Sequence, residues 1–345
     1  MSQFIDWLRH GGRFAPVVAE EDPPTGVDDL AMPRSRPIGP DLPGWAPGRQ
    51  AEDGLQRRWI EDGFIVIPGV FDGETIGRYN EIVETVRREV QESKDSFGFG
   101  DRIGQLHQRE PDLLKLPAAS RIRDFLRWAF GDEPVVFASL QFEKGTQQEA
   151  HIDAMFFWPE PSYAMAGAWI ALEDVHPDAG PLFYLPGSHR WPFLHSDDVV
   201  RSRPELYRLR EEARAGGLPP EQQQELMHRI GLAWTEDFLR LEAEYGVARV
   251  PICPRAGDVV IWHSLLAHGG SPRKDPSLSR RSAVFHFFGR RAALCTMDQF
   301  MLHSGQELVQ LSSSAPPLQR WEDLEYMRFP YFVTYDQARE IVHPL

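Results

Sequence analysis

The sequence predicts a mainly β fold with flanking helices, an antiparallel sandwich or barrel that a helical insertion interrupts. From Pro134 onward, at least six short segments rich in β-branched and aromatic residues are bounded by Gly, Pro or Asp. These segments are VVFASLQFEKG, EAHIDAMFFWP, AMAGAWIALEDV, GPLFYLPGSHR, GDVVIWHSLLAHGG and RSAVFHFFGR. Helices do not alternate with them, which favours an antiparallel arrangement over a parallel sheet. A polar stretch with helical spacing, at about 197–247, separates the fourth segment from the fifth.

The domain organisation follows from proline density and helical spacing. Residues 1–53 contain closely spaced prolines, which block both helix and sheet hydrogen bonds, so we expect an extended arm there. Two amphipathic helices precede the strands, one with Asp72 as its expected N-cap and one ending at Gly131. We expect residues 54–300 to form one domain that the insertion covers as a lid. Residues 301–345 would pack on it as an extension ending in a short helix, DQAREIV.

Composition limits the classes of partner. The chain has 345 residues, is 42% hydrophobic and carries a net charge of −14, which argues against nucleic acid and anionic membranes as partners. Its two cysteines form no CxxC pair, so a zinc knuckle or thiol redox motif is excluded. The N-terminal residues lack a secretory signal pattern, and no apolar run approaches the length of a membrane span. We therefore expect a cytoplasmic monomer or small homo-oligomer that acts on a small molecule.

One of three His-x-Asp triplets has the context of a metal site. His151 and Asp153 lie in a strand-like run, where residues two apart point to the same face. Two polar groups facing a core need partners, and a metal would satisfy both. A hydrogen-bonded His–Asp pair at a strand edge is the alternative. The triplet 176–178 has a central proline and predicts a turn, and the triplet 195–197 predicts a helix N-cap.

A catalytic metal needs a further ligand. Two histidines and a carboxylate leave open positions on Fe(II) that suit oxygen chemistry. The stretch GDVVIWHSLLAHGGSP offers His263 within a strand and His268 at the strand end, and we prefer His268 because ligands favour strand and loop ends. A 2-oxo acid cosubstrate would also need a cation for its far carboxylate. Arg280 and Arg281 begin the next strand, and only one of them can point inward.

Taken in order, these motifs resemble the phytanoyl-CoA dioxygenase family, which includes ectoine hydroxylase. The resemblance rests on HIDAMFF, GAWIALEDVHPDAGPLFYLPGSHR, HGGSP and RRSAV, and covers about residues 55–300. It implies a double-stranded β-helix core, of the jelly-roll or cupin-like kind. It also implies Fe(II), 2-oxoglutarate and O₂ as cofactor and cosubstrates.

The resemblance also assigns roles to residues. It implies His151, Asp153 and His268 as iron ligands. It implies Arg281 as the 2-oxoglutarate-binding arginine, with Arg280 as the alternative, and Trp169 as a wall of the cosubstrate pocket. The PGSH turn at 186–189 is interpreted as structural. The chain departs from the family in having HGGS instead of HGS after the distal ligand, which displaces a serine hydroxyl.

The function expected from these residues is hydroxylation of an unactivated C–H bond, with release of succinate and CO₂. Because Asp153 is present, halogenation is disfavoured. Desaturation, cyclisation, epimerisation and a binding homologue without metal are the alternatives. Arg102, Gln105 and His107 are candidates for the pocket wall, with a solvated loop as the other interpretation. The aromatic run 156–158 is assigned to core packing, with a substrate contact as the alternative.

Overall fold

The computed structural model describes residues 51–90, 102–302, 318–336 and 339–345. The predicted arm lies outside the described residues except for 51–53. The helices are α1 Gly54–Asp62, α2 Gly73–Glu89, α3 Ser120–Phe130, α4 Ser196–Arg201, α5 Pro204–Arg214, α6 Pro220–Tyr245 and α7 Met297–Leu302. Within the described ranges, no helix has both the length and the apolar character that crossing a membrane requires.

The strands account for most of the chain after the first helices. They are β1 Phe64–Ile67, β2 Arg102–Gly104, β3 Pro134–Phe142, β4 Phe157–Glu160, β5 Met165–Ala171, β6 Leu182–Tyr184, β7 Val250–Ile252, β8 Val259–His263, β9 His268–Gly270, β10 Ser282–Gly289, β11 Ala293–Thr296, β12 Leu318–Trp321, β13 Leu324–Met327, β14 Tyr331–Asp336 and β15 Arg339–Pro344. Short 3₁₀ turns occupy 106–108, 111–115, 153–155 and 188–190.

A large sheet forms one wall of the fold. Its strands follow the order β1-β8-β5-β10-β3-β2-β14-β15, and β13 joins β3 in the only parallel pairing among the described strands. Every residue of β5, β8 and β10 is buried, because helices cover the outer face of this sheet while its inner face meets a second sheet. The register places Ser282 opposite Ala171 and Val284 opposite Trp169, so that one row of side chains faces the interior.

A small sheet with the order β7-β6-β9 forms the opposite wall. An apolar cluster fills the space between the walls, and it includes Trp169, Val260, Trp262 and Val284 from the large sheet and Tyr184 from β6. Two antiparallel walls that enclose one core make a jelly roll, so the fold class expected from the sequence is confirmed. Another pair, β4 with β11, stands beside this core.

Helices α4 to α6 occupy the predicted insertion between β6 and β7. Helix α6 buries Ile230, Trp234 and Phe238 on one face, and the indole Nε1 of Trp234 donates to the carbonyl of Leu194 at 2.8 Å. Arg203 joins the helices by a two-pronged contact with Asp237, at 2.7 and 2.8 Å. The insertion is therefore a packed layer of the domain. A function of the insertion as a lid over the site stays a prediction.

Two local predictions were wrong. The segment DQAREIV is not a helix, because its described part belongs to the β14–β15 hairpin, in which Val333 pairs with Val342. This hairpin continues the large sheet through β2, so tertiary pairing outweighs the helical tendency of the segment. The run from His151 is not a continuous strand either. His151 makes an isolated bridge, and a 3₁₀ turn begins at Asp153.

Gly257 joins the entry of β8 to the end of β1. Its carbonyl accepts the N–H groups of Val70 and Phe71, and its φ is +85°. A Cβ at this position would lie 2.1 Å from the Phe71 carbonyl oxygen, whereas one at Gly216, with φ +74°, would have no heavy atom within 4 Å. The two glycines therefore share the positive φ and differ in the space around them.

We expect Gly257→Ala to lower the free energy of unfolding more than Gly216→Ala. Both variants incur the strain of a positive φ, about 1 kcal/mol, and only the first adds a backbone clash. Urea unfolding of both variants beside the parent chain measures the difference. Equal losses would show that the contact at Phe71 relaxes without cost.

Candidate metal centre

The main chains of two histidines are hydrogen-bonded to each other. His151 N–H donates to the carbonyl of His268 at 2.9 Å, and His268 N–H donates back at 3.0 Å. This reciprocal pair has the geometry of a hydrogen-bonded pair in an antiparallel sheet, and it forms an isolated β-bridge. The two imidazole centroids lie 4.4 Å apart. Residues more than a hundred positions apart are thereby fixed as neighbours by the main chain.

The backbone also orients both imidazole rings. His151 Nδ1 lies 2.8 Å from the carbonyl of Glu149, and His268 Nδ1 lies 2.9 Å from the carbonyl of Leu266. A carbonyl accepts, so each Nδ1 carries the hydrogen and each Nε2 presents a lone pair. This second contact selects the tautomer that a metal requires.

Asp153 completes the cluster. Its Oδ1 lies 3.9 Å from His151 Nε2 and 3.6 Å from His268 Nε2. Its other oxygen, Oδ2, accepts a 2.7 Å hydrogen bond from Trp262 Nε1 and lies 3.3 Å from His286 Nε2. One carboxylate oxygen is thus held by the protein, and the other faces the histidine nitrogens. The three predicted ligands come together, with donor atoms within 4.8 Å of one another.

Protonation in this cluster suits a cation. Burial lowers the pKa of His151 to about 3, and the nearby His268 acts in the same direction. Burial acts to raise the pKa of Asp153, but three surrounding histidines outweigh it, so this pKa lies below its ordinary value. At neutral pH the cluster contains a carboxylate and a neutral His151, the forms in which these side chains bind metal.

The remaining histidines of the sequence motifs lie elsewhere. His263 faces the outer side of β8, 5.5 Å from the ring of Trp59, and its Nδ1 accepts the N–H of Leu265. The turn at 176–178 is exposed, as its proline indicated. His195 is the N-cap of α4, one residue before the position expected from the sequence.

The two candidate arginines differ sharply in burial. Arg281 has a side chain that is 40% exposed and pairs with Glu143 at 3.1 Å. Arg280 is 1% exposed, and its Nη1 donates to the carbonyl of Gly180 at 2.9 Å. Arg281 was the residue expected to bind the carboxylate of the cosubstrate, but the geometry favours Arg280 for this role. Side chains alternate along a strand, and this alternation directs only Arg280 toward the interior. Both faces of β10 are apolar, so hydrophobic periodicity could not show which arginine points inward.

Arg280 is a buried cation that has no anionic partner among the described residues. Among the described residues, no carboxylate lies within salt-bridge distance of it and its Nε has no hydrogen-bond partner. Burial lowers its pKa to about 10, so it stays charged at neutral pH. Its guanidinium carbon lies 5.9 Å from the ring centroid of Trp169, the predicted wall residue. A buried unpaired charge is costly, which points to an anionic ligand at this position.

Further polar atoms around Arg280 also lack partners in the described part of the chain. They are Trp169 Nε1, Tyr184 Oη and Ser282 Oγ. Burial raises the pKa of Tyr184 well above its ordinary value, with Asp153 adding to the rise and Arg280 opposing it. Tyr184 is therefore within electrostatic reach of both the carboxylate of the metal cluster and the buried arginine. A ligand with two acceptor ends would satisfy this set of groups.

Sequence reasoning missed three supporting residues. Trp262 and His286 contact Asp153 Oδ2, the oxygen that faces away from the other two ligand candidates, and the Ser188 hydroxyl accepts the N–H of Ala267 beside His268. The PGSH turn that contains Ser188 thus supports the strand of a metal ligand. A signal for His286 existed, because this polar residue interrupts the aromatic run FHFF in β10.

Three polar residues in and after β2, Arg102, Gln105 and His107, were candidates for the pocket wall. His107 lies between the Ser139 hydroxyl, at 2.7 Å, and the side chain of Gln108, at 2.9 Å. The amide of Gln105 donates to the carbonyl of Phe137. Arg102 is buried as well, so these residues do not form a solvated loop, and a place in the pocket wall stays a prediction.

The fold and the cluster together define the class: an oxygenase of the iron and 2-oxoglutarate type. A family profile described as phytanoyl-CoA dioxygenase (PhyH) matches residues 59–282. The chain therefore belongs to the phytanoyl-CoA dioxygenase family.

Relatives support this placement at low identity. The peroxisomal phytanoyl-CoA dioxygenase of Rattus norvegicus is 24% identical over 314 residues, covering 82% of this chain and 83% of that protein. A phytanoyl-CoA dioxygenase domain-containing protein 1 homolog of Caenorhabditis elegans is 30% identical over 286 residues, covering 69% of this chain and 91% of that protein.

Solved structures share the fold. The 2-oxoglutarate-dependent carbocyclase SnoK from nogalamycin biosynthesis aligns with a TM-score of 0.51 at 19% identity, covering 80% of this chain and 95% of that one. EctD from S. alaskensis, with 2-oxoglutarate and 5-hydroxyectoine, aligns with a TM-score of 0.51 at 18% identity, covering 79% and 91%. Both comparisons agree with the jelly roll described above.

We expect Trp262→Phe to weaken Fe(II) binding by about 10- to 100-fold, since it removes a donor that orients Asp153. Trp234→Phe is the matched control, because it also removes one indole hydrogen bond but lies in the insertion. Anaerobic Fe(II) titration measures both affinities. An equal loss in the two variants would mean that the effect is one of general stability.

Proposed function

We propose that this protein is an Fe(II)- and 2-oxoglutarate-dependent dioxygenase that hydroxylates an unactivated C–H bond of a small molecule. The observation that carries the proposal is the pairing of two unsatisfied groups within one core. One is a cluster of two histidines and a carboxylate, and the other is a buried arginine that has no anion beside it in the described part of the chain. The first suits iron, and the second suits a carboxylate.

In this proposal the iron is held by Nε2 of His151, Nε2 of His268 and Oδ1 of Asp153. When bound, iron and 2-oxoglutarate supply oxidation of a C–H bond by O₂, with succinate and CO₂ as by-products. Trp262 keeps Oδ2 occupied, which leaves a single oxygen of the carboxylate for the metal. Three protein ligands leave room on the iron for the cosubstrate and O₂.

We assign the distal carboxylate of 2-oxoglutarate to Arg280. A planar guanidinium can donate in parallel to both carboxylate oxygens, and burial strengthens the contact. The Tyr184 and Ser282 hydroxyls, which lack partners in the described chain, can donate to the same anion. Trp169 forms the wall beside Arg280. Arg281 is assigned to the sheet edge, where Glu143 already pairs with it.

Hydroxylation is the outcome proposed, because Asp153 occupies the carboxylate position that a halogenase leaves open for chloride. The known structures with this fold include an epimerase and a carbocyclase from nogalamycin biosynthesis, so those outcomes are the alternatives. Product mass separates them. Hydroxylation adds one oxygen, cyclisation or desaturation removes two hydrogens, and epimerisation leaves the mass unchanged. A location in the cytoplasm stays a prediction from composition.

We expect the protein to develop a visible charge-transfer absorption band when Fe(II) and then 2-oxoglutarate are added without oxygen. The band reports direct chelation of the metal. Asp153→Ala should not develop it, because two histidines alone do not retain the iron. Circular dichroism of this variant verifies that the fold is intact. A wild-type sample that binds Fe(II) yet shows no band would contradict the proposed cosubstrate.

Arg280→Ala should raise the 2-oxoglutarate concentration for half-maximal band intensity by at least about thirtyfold, because a buried charged contact is lost. Arg281→Ala is the neighbouring control and should change it by less than about threefold, as expected of an exposed ion pair. The opposite ranking would return the assignment to Arg281.

A further inference from the structure

His286 is a buried polar residue, and the metal cluster explains the contact of only one of its two ring nitrogens. It is 6% exposed and lies on the inner face of β10, the face that Arg280 also shares. Its Nε2 lies 3.3 Å from Asp153 Oδ2. A neutral imidazole that faces a carboxylate oxygen presents its N–H there, because two lone pairs would repel each other. Its Nδ1 is then a hydrogen-bond acceptor.

This acceptor has no partner among the described residues. The Nδ1 atom of His286 is buried and makes no hydrogen bond. It differs from His151 and His268, whose Nδ1 atoms both reach a backbone carbonyl. Buried polar atoms are nearly always paired, so an unpaired acceptor beside a reaction centre indicates a donor on a ligand.

The surroundings of His286 are aromatic. Its ring centroid lies 5.9 Å from that of Phe137 and 6.2 Å from that of Phe157. Phe137 also makes edge contacts with Phe157 at 5.0 Å and with Phe288 at 5.8 Å. We call Phe137, Phe157 and Phe288 the aromatic wall. Phe157 is 37% exposed, so this wall reaches from the metal cluster to solvent.

The aromatic wall offers no free cation in the described structure. The arginines that follow β10 are both paired, Arg290 with Glu325 at 3.2 Å and Arg291 with Asp132 at 3.3 Å. A substrate with a carboxylate or phosphate at this wall would lose hydration without gaining a counter-charge. The chemistry of the wall therefore favours a neutral apolar molecule.

We propose that the aromatic wall and His286 bind the substrate, and that the substrate carries an apolar ring with a hydroxyl or N–H group that donates to His286 Nδ1. This inference rests on the proposed function and assigns the substrate class of that site. The donor group would hold a neighbouring C–H bond close to the metal, since His286 also contacts the ligand Asp153. His286 is a positioning residue in this assignment.

The test uses the anaerobic Fe(II)–2-oxoglutarate complex of the full chain and three probes. The probes are 4-ethylphenol, its methyl ether 4-ethylanisole, and 4-ethylbenzoate. Each is titrated while the charge-transfer band is recorded, because a molecule that binds beside the metal perturbs this band. We expect 4-ethylphenol to act at a concentration about five- to tenfold lower than the ether, by one hydrogen bond, and the benzoate not to act.

Variants separate the two parts of the assignment. His286→Phe keeps a ring and removes the acceptor, so the preference for the phenol over the ether should vanish in the complex that this variant forms. His286→Gln retains a donor and an acceptor and should restore part of the preference. Phe157→Ala should weaken both neutral probes by several-fold, as expected from loss of an aromatic contact. Tyr207→Ala, which removes an equally exposed aromatic on α5, is the control.

The outcomes distinguish this inference from the proposed function. A wild-type protein without the band overturns the proposed function, and the inference with it. A band that all three probes shift equally, or that only the benzoate shifts, overturns the substrate class alone. Preference for the phenol that survives in His286→Phe overturns the role of His286. If His286→Phe does not form the band, the test rests on Phe157→Ala. Affinities of this variant for 4-ethylphenol and 4-ethylanisole that equal those of Tyr207→Ala would overturn the assignment of the aromatic wall.

Discussion

A carboxylate in a dry interior is the constraint on which the rest of this structure depends. Asp153 is 7% exposed, and an ionised carboxylate at that depth is costly unless donors or cations surround it. The structure supplies one indole N–H from Trp262 and the imidazoles of three histidines. These groups come from both walls of the jelly roll, so the full set surrounds Asp153 only where the two sheets close around it.

The main chain carries out much of this assembly. Reciprocal hydrogen bonds hold His151 beside His268, and carbonyl groups two residues earlier orient both rings. The reciprocal bonds join main-chain atoms and do not depend on side-chain rotamers, whereas the two Nδ1 contacts fix the rotamers of the rings. Gly167 allows the ring of Trp262 to lie directly against the main chain of β5, because a Cβ at position 167 would lie 2.2 Å from that ring. The donor that holds Asp153 therefore depends on a residue without a side chain.

The three residues of the candidate metal cluster could be predicted from the sequence because their chemistry is visible locally. A His-x-Asp pair in an apolar run and a distant His at a strand end need no knowledge of the fold. The arginine was harder, since every residue of β10 is buried and parity along the strand is invisible in its composition. The contacts of Trp262, Ser188 and His286 depend on register between strands, which one sequence does not specify. The same applies to the C-terminal hairpin, whose strand pairing outweighed a helical pattern.

The interior is divided into two chemically unlike regions on either side of the metal cluster. Within the described residues, one contains Arg280 with hydroxyl groups that lack partners, and the other contains the aromatic wall with an unpaired ring nitrogen on His286. An anionic cosubstrate placed at the wall would be an unpaired buried charge, and a neutral ring at Arg280 would leave that cation without an anion. Each misplacement costs several kcal/mol by the general expense of burying unpaired charge. Under the assignments proposed above, the two ligands would be sorted by charge before shape is considered, and the reacting C–H bond would be the one nearest the group that donates to His286.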